Sequence, residues 1–379
     1  MIAQCRPLID VLAEVPDFRR SRGKRHALPA ILALICVAVL CGYRSYSAIA
    51  EWARVYPREL VVALGLTHAT PPCAATLSTI LRHLDREQVE AKLGVWAQSV
   101  LAALPPGPTE DEALALDGKT LRGSWHQGAL NVHLLSVLSH RLGLTLGQQA
   151  VEDKTNEISH ALPLLLDLVI QGRIFTMDAL LTQRPIAQAI IQGGAHYLML
   201  AKGNQPQLEA DIALVFTEPP EDDLQSHASS VDRAHGRIER RRLTVSSALA
   251  NYSDWPGLQQ VFRLDRHTIL RSTGEIRTQT VYGLTSLKSI QADAHRLLGI
   301  TRHHWRIENR SHWVRDVTFD EDRSQVRCGS TPQIMAAFRN TAIGLLRVSG
   351  DTNIAAACRR LAAQPRSALT LIGLPRTTE

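Results

Sequence analysis

The stretch Pro105, Pro106, Gly107, Pro108 constrains this chain most, because three prolines and a glycine in four positions can extend neither a helix nor a strand. On its amino side, residues 1–104 read as helical throughout. Leu8, Leu12 and Val15 form a short apolar stripe. Leu28 to Cys41 is apolar almost without interruption, and Thr76–Leu84 and Val89–Leu104 supply further stripes. On its carboxyl side the texture changes to short apolar runs. Leu114 to Gly118, Val132–Leu138 and Leu144–Val151 read as strands, the last two joined by a hairpin turn around Arg141–Gly143. A helix over 157–170, a strand at Ile174–Asp178, a helix over Gln183–Gln192 and a strand at His196–Ala201 follow.

Strand-strand-strand-helix-strand-helix-strand is the element order of an RNase H-like sheet. Residues 205–295 differ. An acidic stretch, Glu218–Asp223, precedes short β-like runs at Leu243–Val245, Gln260–Leu264 and Thr278–Leu284, which read as an insertion and not as a continuation of the sheet. Helical patterning returns from His295 to Val317 and from Pro332 to Leu346, the second opened by the cap and first-turn pair Thr331 and Pro332. The expected fold is α/β: an all-α N-terminal domain over 1–104, then an RNase H-like domain over 112–204 and 296–350. That domain is interrupted by the β-rich insertion over 205–295 and followed by a C-terminal helix and tail over 351–379.

Bulk properties narrow the class without deciding it. The 379 residues suit two or three domains, and 45% hydrophobic with 21% charged residues is a globular composition. Lys and Arg exceed Asp and Glu by 42 − 36 = 6, a surplus compatible with a polyanionic partner. Cys5, Cys36, Cys41, Cys73, Cys328 and Cys358 form no CxxC pair and no regular framework, which fits free thiols in a reducing cytosol. The run from Leu28 to Cys41 lies behind Arg19, Arg20, Arg22, Lys24 and Arg25, but it is too short to span a bilayer. It reads as a buried helix of a cytoplasmic protein.

Two aspartates stand where chemistry is expected. Asp117 ends one apolar strand and Asp178 another, so both sit at the carboxyl ends of strands in one sheet and can converge on a metal. Each alone reads equally as a turn or cap residue. The segment from Arg302 to Trp313 is the strongest single signal. On a regular helix His304, Glu308 and Arg315 share a face, at offsets of 4 and 7, while Ile307, Val314 and Val317 fall on an apolar stripe. An amphipathic surface helix explains this as well as a site does. Zinc chelation by His304, Glu308 and His312, spaced by four, is a further reading. Glu157 is an unplaced candidate, equally explained as a helix-start carboxylate.

Taken in order, several motifs together resemble one family. They are Leu116 to Ser124 (Leu-Asp-Gly-Lys-Thr-Leu-Arg-Gly-Ser), Lys154 to Ile158, Asp178 to Gln183, and Tyr197 to Leu200 followed by Lys202 to Gln205. His235 to Glu239, His304 to Asn309, Asp316 to Phe319, and Glu321 with Asp322 complete the set. Over nearly the whole chain this resembles the DDE transposases of bacterial insertion sequences, in the H-repeat-associated (ISAs-type) branch related to Tn5-like enzymes. The resemblance implies a metal-binding catalytic trio of Asp117, Asp178 and Glu308, with Asp316 a rival for the third place. The wider group often shows Tyr, Arg, Glu and Lys around the third carboxylate; here Thr301, His304 and Arg315 stand at the Tyr, Arg and Lys positions.

The implied reaction is in-line displacement at phosphorus, first to free a 3′-hydroxyl at the element end and then to join it to target DNA. Hard ions such as Mg²⁺, with Mn²⁺ substituting, take carboxylate oxygens and leave coordination open for phosphate. The expected partners are double-stranded DNA, as terminal inverted repeats and target, and a second copy of the chain in a DNA-bound homodimer, in a nucleoid-associated setting. Lys119, Arg122, Lys202, Asn204, Arg302, His304, Arg315 and Arg237 are the expected DNA contacts. Two basic clusters, Arg19–Arg25 and Arg233, Arg237, Arg240, Arg241 and Arg242, suit backbone phosphate, though either also reads as a solvated face. A DNA-binding relative that no longer cuts is the competing expectation.

Overall fold

The computed structural model describes residues 6–374 apart from 23, 57, 69, 104–112, 126–130, 152–156, 235 and 251–253, with the backbone alone at 58–60. The expected break at 105–108 and the start of the Lys154–Ile158 motif lie outside the described residues, as does His235. Among the described residues, six helices precede the break: α1 (Leu8–Ala13), α2 (Leu28–Leu40), α3 (Tyr46–Val55), α4 (Arg58–Ala63), α5 (Ala74–His83) and α6 (Arg86–Ala103). Then come β1 (Ala113–Thr120), β2 (His133–Ser139), β3 (Thr145–Val151), α7 (Glu157–Leu166), β4 (Ile174–Met177), α8 (Arg184–Gln192), β5 (His196–Ala201) and α9 (Pro206–Thr217). Four longer strands follow, β6 (Ser226–Ala234), β7 (Arg237–Ser246), β8 (Gln260–Leu270) and β9 (Ile276–Thr285), and then α10 (Ala294–His304). The chain ends in α11 (Trp313–Val317), α12 (Thr331–Val348), α13 (Ile354–Ala363) and α14 (Pro365–Leu371).

Two compact units share this mixed α/β chain, the first made of 1–106, 118–157 and 306–379 and the second of 107–117 and 158–305. In the first, α2 is buried on every side, from Leu28 through Leu40 with only Pro29 partly exposed. A helix apolar all round is an interior helix, and α2 packs against α12, itself almost wholly buried. Among the described residues no helix is long and apolar enough to cross a membrane. The same unit holds the antiparallel hairpin of β2 and β3, with the end of β1 beside it.

In the second unit, the start of β1 pairs parallel with β4, and β4 parallel with β5. The parallel neighbours β1, β4 and β5 are the part of the expected RNase H-like order that this unit holds. The 205–295 segment departs from expectation. β9 pairs antiparallel with β5, and β8, β7 and β6 follow in turn, so these strands continue the sheet. One apolar core explains why: Ile174, Leu198 and Leu200 of the first strands pack with Leu243, Phe262, Leu264 and Val281 of the later ones, under Leu297 and Ile300 of α10. The outer halves of β6 and β9 are largely exposed.

Candidate active site

The last register pair between β1 and β4 is Leu116 with Met177, so Asp117 and Asp178 are the next residue on each strand. Parallel neighbours lie about 4.8 Å apart and in-register side chains leave the same face of the sheet. Asp117 is the fifth residue of β1 rather than its last, but it stands where the ladder to β4 ends. Both aspartates are partly exposed beyond a floor of buried residues. The Asp178 carboxylate accepts from the Leu180 backbone N–H at 2.9 Å, which fixes its rotamer from within the loop. Asn204, on the turn after β5, donates its side-chain amide to the Ala179 carbonyl and so ties that turn to the residue after Asp178.

Under this pair lies a polar contact. Thr176, fully buried on β4, donates its hydroxyl to the Leu114 carbonyl at 3.3 Å and lies 2.9 Å from His304 Nδ1. A hydroxyl has one proton, so a Thr176 that gives it to Leu114 accepts from His304 Nδ1–H. Burial pushes the His304 imidazole down to about 4, against the opposing pull of the Asp178 charge. His304 is therefore neutral at pH 7 and acts as part of the floor, with no charge to offer a phosphate.

The remainder of β1 belongs to the first unit and is gripped on both faces. Lys119, only 8% exposed, donates to both oxygens of Asp316 at 2.7 and 2.8 Å. Burial raises the Asp316 carboxyl, and the Lys119 ammonium works against that rise. On the opposite face, His133 Nε2 lies 2.6 Å from Glu157 Oε1, both buried, and His133 Nδ1 lies 2.9 Å from Thr120 Oγ1. Glu157 is thus the first residue of α7 and also half of a buried pair, a role that its position in the sequence did not suggest. Gly118 is a strand residue whose added Cβ would come within 2.5 Å of His133 Nε2.

Glu308 lies in the first unit and is exposed, above a buried Ile307. It opens a π-helical turn, Glu308–His312, between α10 and α11. The wider turn adds a residue to the local repeat and breaks the 4 and 7 arithmetic that put His304, Glu308 and Arg315 on one face. Of the expected apolar stripe, Ile307 and Val314 are buried and Val317 is exposed. Arg315 is wholly buried, with Nη2 2.7 Å from Glu321 Oε2, and Arg339 Nη1 donates to Glu321 Oε1 at 2.7 Å. The Arg315 charge is therefore taken up inside the protein by Glu321.

The expected DNA contacts differ in exposure. Arg122, Lys202, Asn204, Arg237 and Arg302 are exposed, Arg302 with an ion pair to Asp232 at 2.8 Å. For a divalent cation, the fitting feature is two carboxylates directly after the last register pair of β1 and β4, near a neutral imidazole: oxygen donors, and no competing positive charge on His304. Among the described residues no group of three or more His, Cys, Asp or Glu side chains is gathered as a metal site, and the spacing argument for zinc on His304, Glu308 and His312 falls with the π turn.

Residues 108–345 match the family described as Transposase DDE domain, and residues 9–97 match the one described as DDE_Tnp_1-associated. A chain of Escherichia coli O157:H7 named "Putative transposase YncI" is 30% identical over 357 residues, covering 91% of this chain and 88% of that one. "H repeat-associated putative transposase YhhI" of Escherichia coli K12 is 27% identical over 355 residues, covering 90% and 91%. A solved piggyBac transposase synaptic complex with hairpin DNA matches at 11% identity and a TM-score of 0.44, over 98% of this chain and 78% of that one.

Proposed function

We propose, on the premise that this chain belongs to the Transposase DDE domain family, that Asp117, Asp178 and Glu308 are the metal-holding carboxylates of its DNA cleavage and strand-transfer site. The observation that supports this best is that Asp117 and Asp178 each directly follow the last register pair of β1 and β4, Leu116 with Met177. The chain is a DNA transposase that depends on divalent metal. The ion in use is Mg²⁺, with Mn²⁺ able to replace it, since an all-carboxylate oxygen set suits both. When bound, such ions polarise the scissile phosphate and make water or a terminal hydroxyl nucleophilic at neutral pH.

The residues of this chain divide the remaining work. Asp117 and Asp178 hold metal, Asp178 with its carboxylate already oriented by the Leu180 N–H. Glu308 supplies the third carboxylate from the π turn. Arg122, Lys202 and Arg302 bind phosphate near the reacting strand, and Arg237 on β7 binds backbone farther along the duplex. Lys119, His304, Asn204 and Arg315 keep these groups in place through their own buried or short-range bonds. The substrates are the terminal inverted repeats of an insertion sequence and a target duplex. A homodimer bridging two DNA ends does the joining.

End-labelled terminal-repeat DNA incubated with the protein and Mg²⁺ or Mn²⁺ tests this. Alanine at Asp117, Asp178 or Glu308 lowers cleavage at least ~10³-fold with DNA binding kept, a loss on the scale of removing a main source of transition-state charge stabilisation. Cleavage that survives at Asp117→Ala or Asp178→Ala sinks the site. A wild type that binds the repeats and never cuts them supports the non-cutting alternative instead.

A further inference from the structure

Side chains alternate along a strand, so Asp117 and Lys119 leave one face of β1 while Gly118 and Thr120 leave the other. On that second face the Thr120, His133 and Glu157 side chains form one chain of contacts, 2.9 Å and 2.6 Å long, joining β1, β2 and the first residue of α7. A carboxylate only accepts, so His133 Nε2 carries a proton toward Glu157, and in the neutral ring Nδ1 accepts from the Thr120 hydroxyl. The pair is pressed against the backbone one residue past Asp117. A Cβ on Gly118 would sit 2.5 Å from His133 Nε2 and 2.7 Å from Glu157 Oε1, so no side chain fits between pair and strand.

Burying a histidine and a carboxylate carries a desolvation cost that apolar side chains of similar volume would avoid. What the polar pair adds is direction: two short bonds fix where three segments sit. We propose that His133 and Glu157, with Thr120, are positioning residues that brace β1 from behind and set the position of the Asp117 carboxylate. The brace rests on the reading of Asp117 as a metal ligand. Ligand groups must be held to about 0.5 Å, and a misplacement near 1 Å costs about 10²-fold in rate.

The test is Mn²⁺ binding to the DNA-free protein, followed by the electron paramagnetic resonance of unbound Mn²⁺, with hydrogen exchange at residues 117–120 and thermal unfolding alongside. The double variant His133→Leu, Glu157→Met keeps volume and removes direction. It unfolds within a few degrees of wild type, exchanges the 117–120 amides at least tenfold faster, and binds Mn²⁺ at least tenfold more weakly. Glu157→Gln, which can still accept from His133, restores binding to within threefold. Thr120→Val, a near-isosteric change at a partly exposed position, raises the Kd about threefold with the unfolding midpoint unmoved, and decides the matter if the double variant does not fold. Unchanged exchange and unchanged Mn²⁺ affinity in the folded double variant, or in Thr120→Val, overturn the brace. Equal Mn²⁺ binding by wild type and Asp117→Ala instead overturns the ligand assignment, and the exchange rates still judge the brace.

Discussion

Replacing Glu321 by glutamine should destabilise this protein more than almost any other single-atom exchange. Glu321 is 2% exposed and lies between Arg315 and Arg339, each with a nitrogen 2.7 Å from one of its oxygens. Burial alone would raise its carboxyl, but the two guanidinium charges outweigh that and hold it below the usual range, so it is ionised at neutral pH. Glutamine keeps the shape and removes the charge, leaving two buried arginines uncompensated. Losing one partner of a buried ionic group costs about 3–5 kcal/mol. At roughly 2–4 °C per kcal/mol for a domain of this size class, the unfolding midpoint falls by about 6–20 °C. Asp254→Asn is the control, since its pair with Arg184 has side chains 84% and 49% exposed and is screened by solvent, so its loss leaves the midpoint almost unmoved. Thermal unfolding followed by circular dichroism separates the two. A Glu321→Gln midpoint no lower than that of Asp254→Asn would refute the reasoning.

Other perturbations have signs that can be worked out in advance. Burial pushes the Glu90 carboxyl up to about 8, against the hydrogen bonds it accepts from Gln148 and Gln333. Between the ordinary glutamate value of 4.5 and about 8 the unfolded chain gives up a proton that the folded chain keeps, so this contribution is present at low pH and is lost as pH rises through that window. Glu90→Gln therefore flattens the fall in urea midpoint between pH 5 and 8 and stabilises the protein at pH 8. Thr176→Val leaves His304 Nδ1 buried without its hydroxyl partner and costs about 1–3 kcal/mol by urea unfolding; a midpoint unchanged from wild type would remove Thr176 from the floor of the site. Arg122→Ala, Lys202→Ala and Arg237→Ala each reduce the slope of log affinity against log salt by about 1 in DNA titrations, whereas Arg315→Met leaves that slope intact in protein that folds.

Much of this was legible in the residues themselves. Continuous apolar patterning marks α2 as an interior helix, and the short runs at 113–120, 133–139, 145–151, 174–177 and 196–201 mark β1 to β5. Asp178 is readable as a strand-end carboxylate because its strand is apolar up to Met177. β6 was not legible, since Ser226–Ala234 is polar on both faces and carries no apolar alternation. The merging of 205–295 into the sheet depends on the pairing of β9 with β5, a contact between distant segments that local pattern does not encode. The π turn at Glu308 is invisible for a related reason: periodicity counts residues per turn and assumes the count is constant. Lys119, His304 and Arg315 look like surface cations by type, and their burial follows from partners 197, 128 and 6 positions away.

The claim that Asp117 and Asp178 hold the metal is tested most directly by changing the preference of the ligand itself. In Asp117→Cys and Asp178→Cys the oxygen donor becomes a softer thiolate, which takes Mn²⁺ far better than Mg²⁺. Cleavage of labelled terminal-repeat DNA by each variant is predicted to be lost with Mg²⁺ and recovered in part with Mn²⁺, while the wild type cuts with both. Variants that cut with Mg²⁺ as well as the wild type does would contradict the assignment.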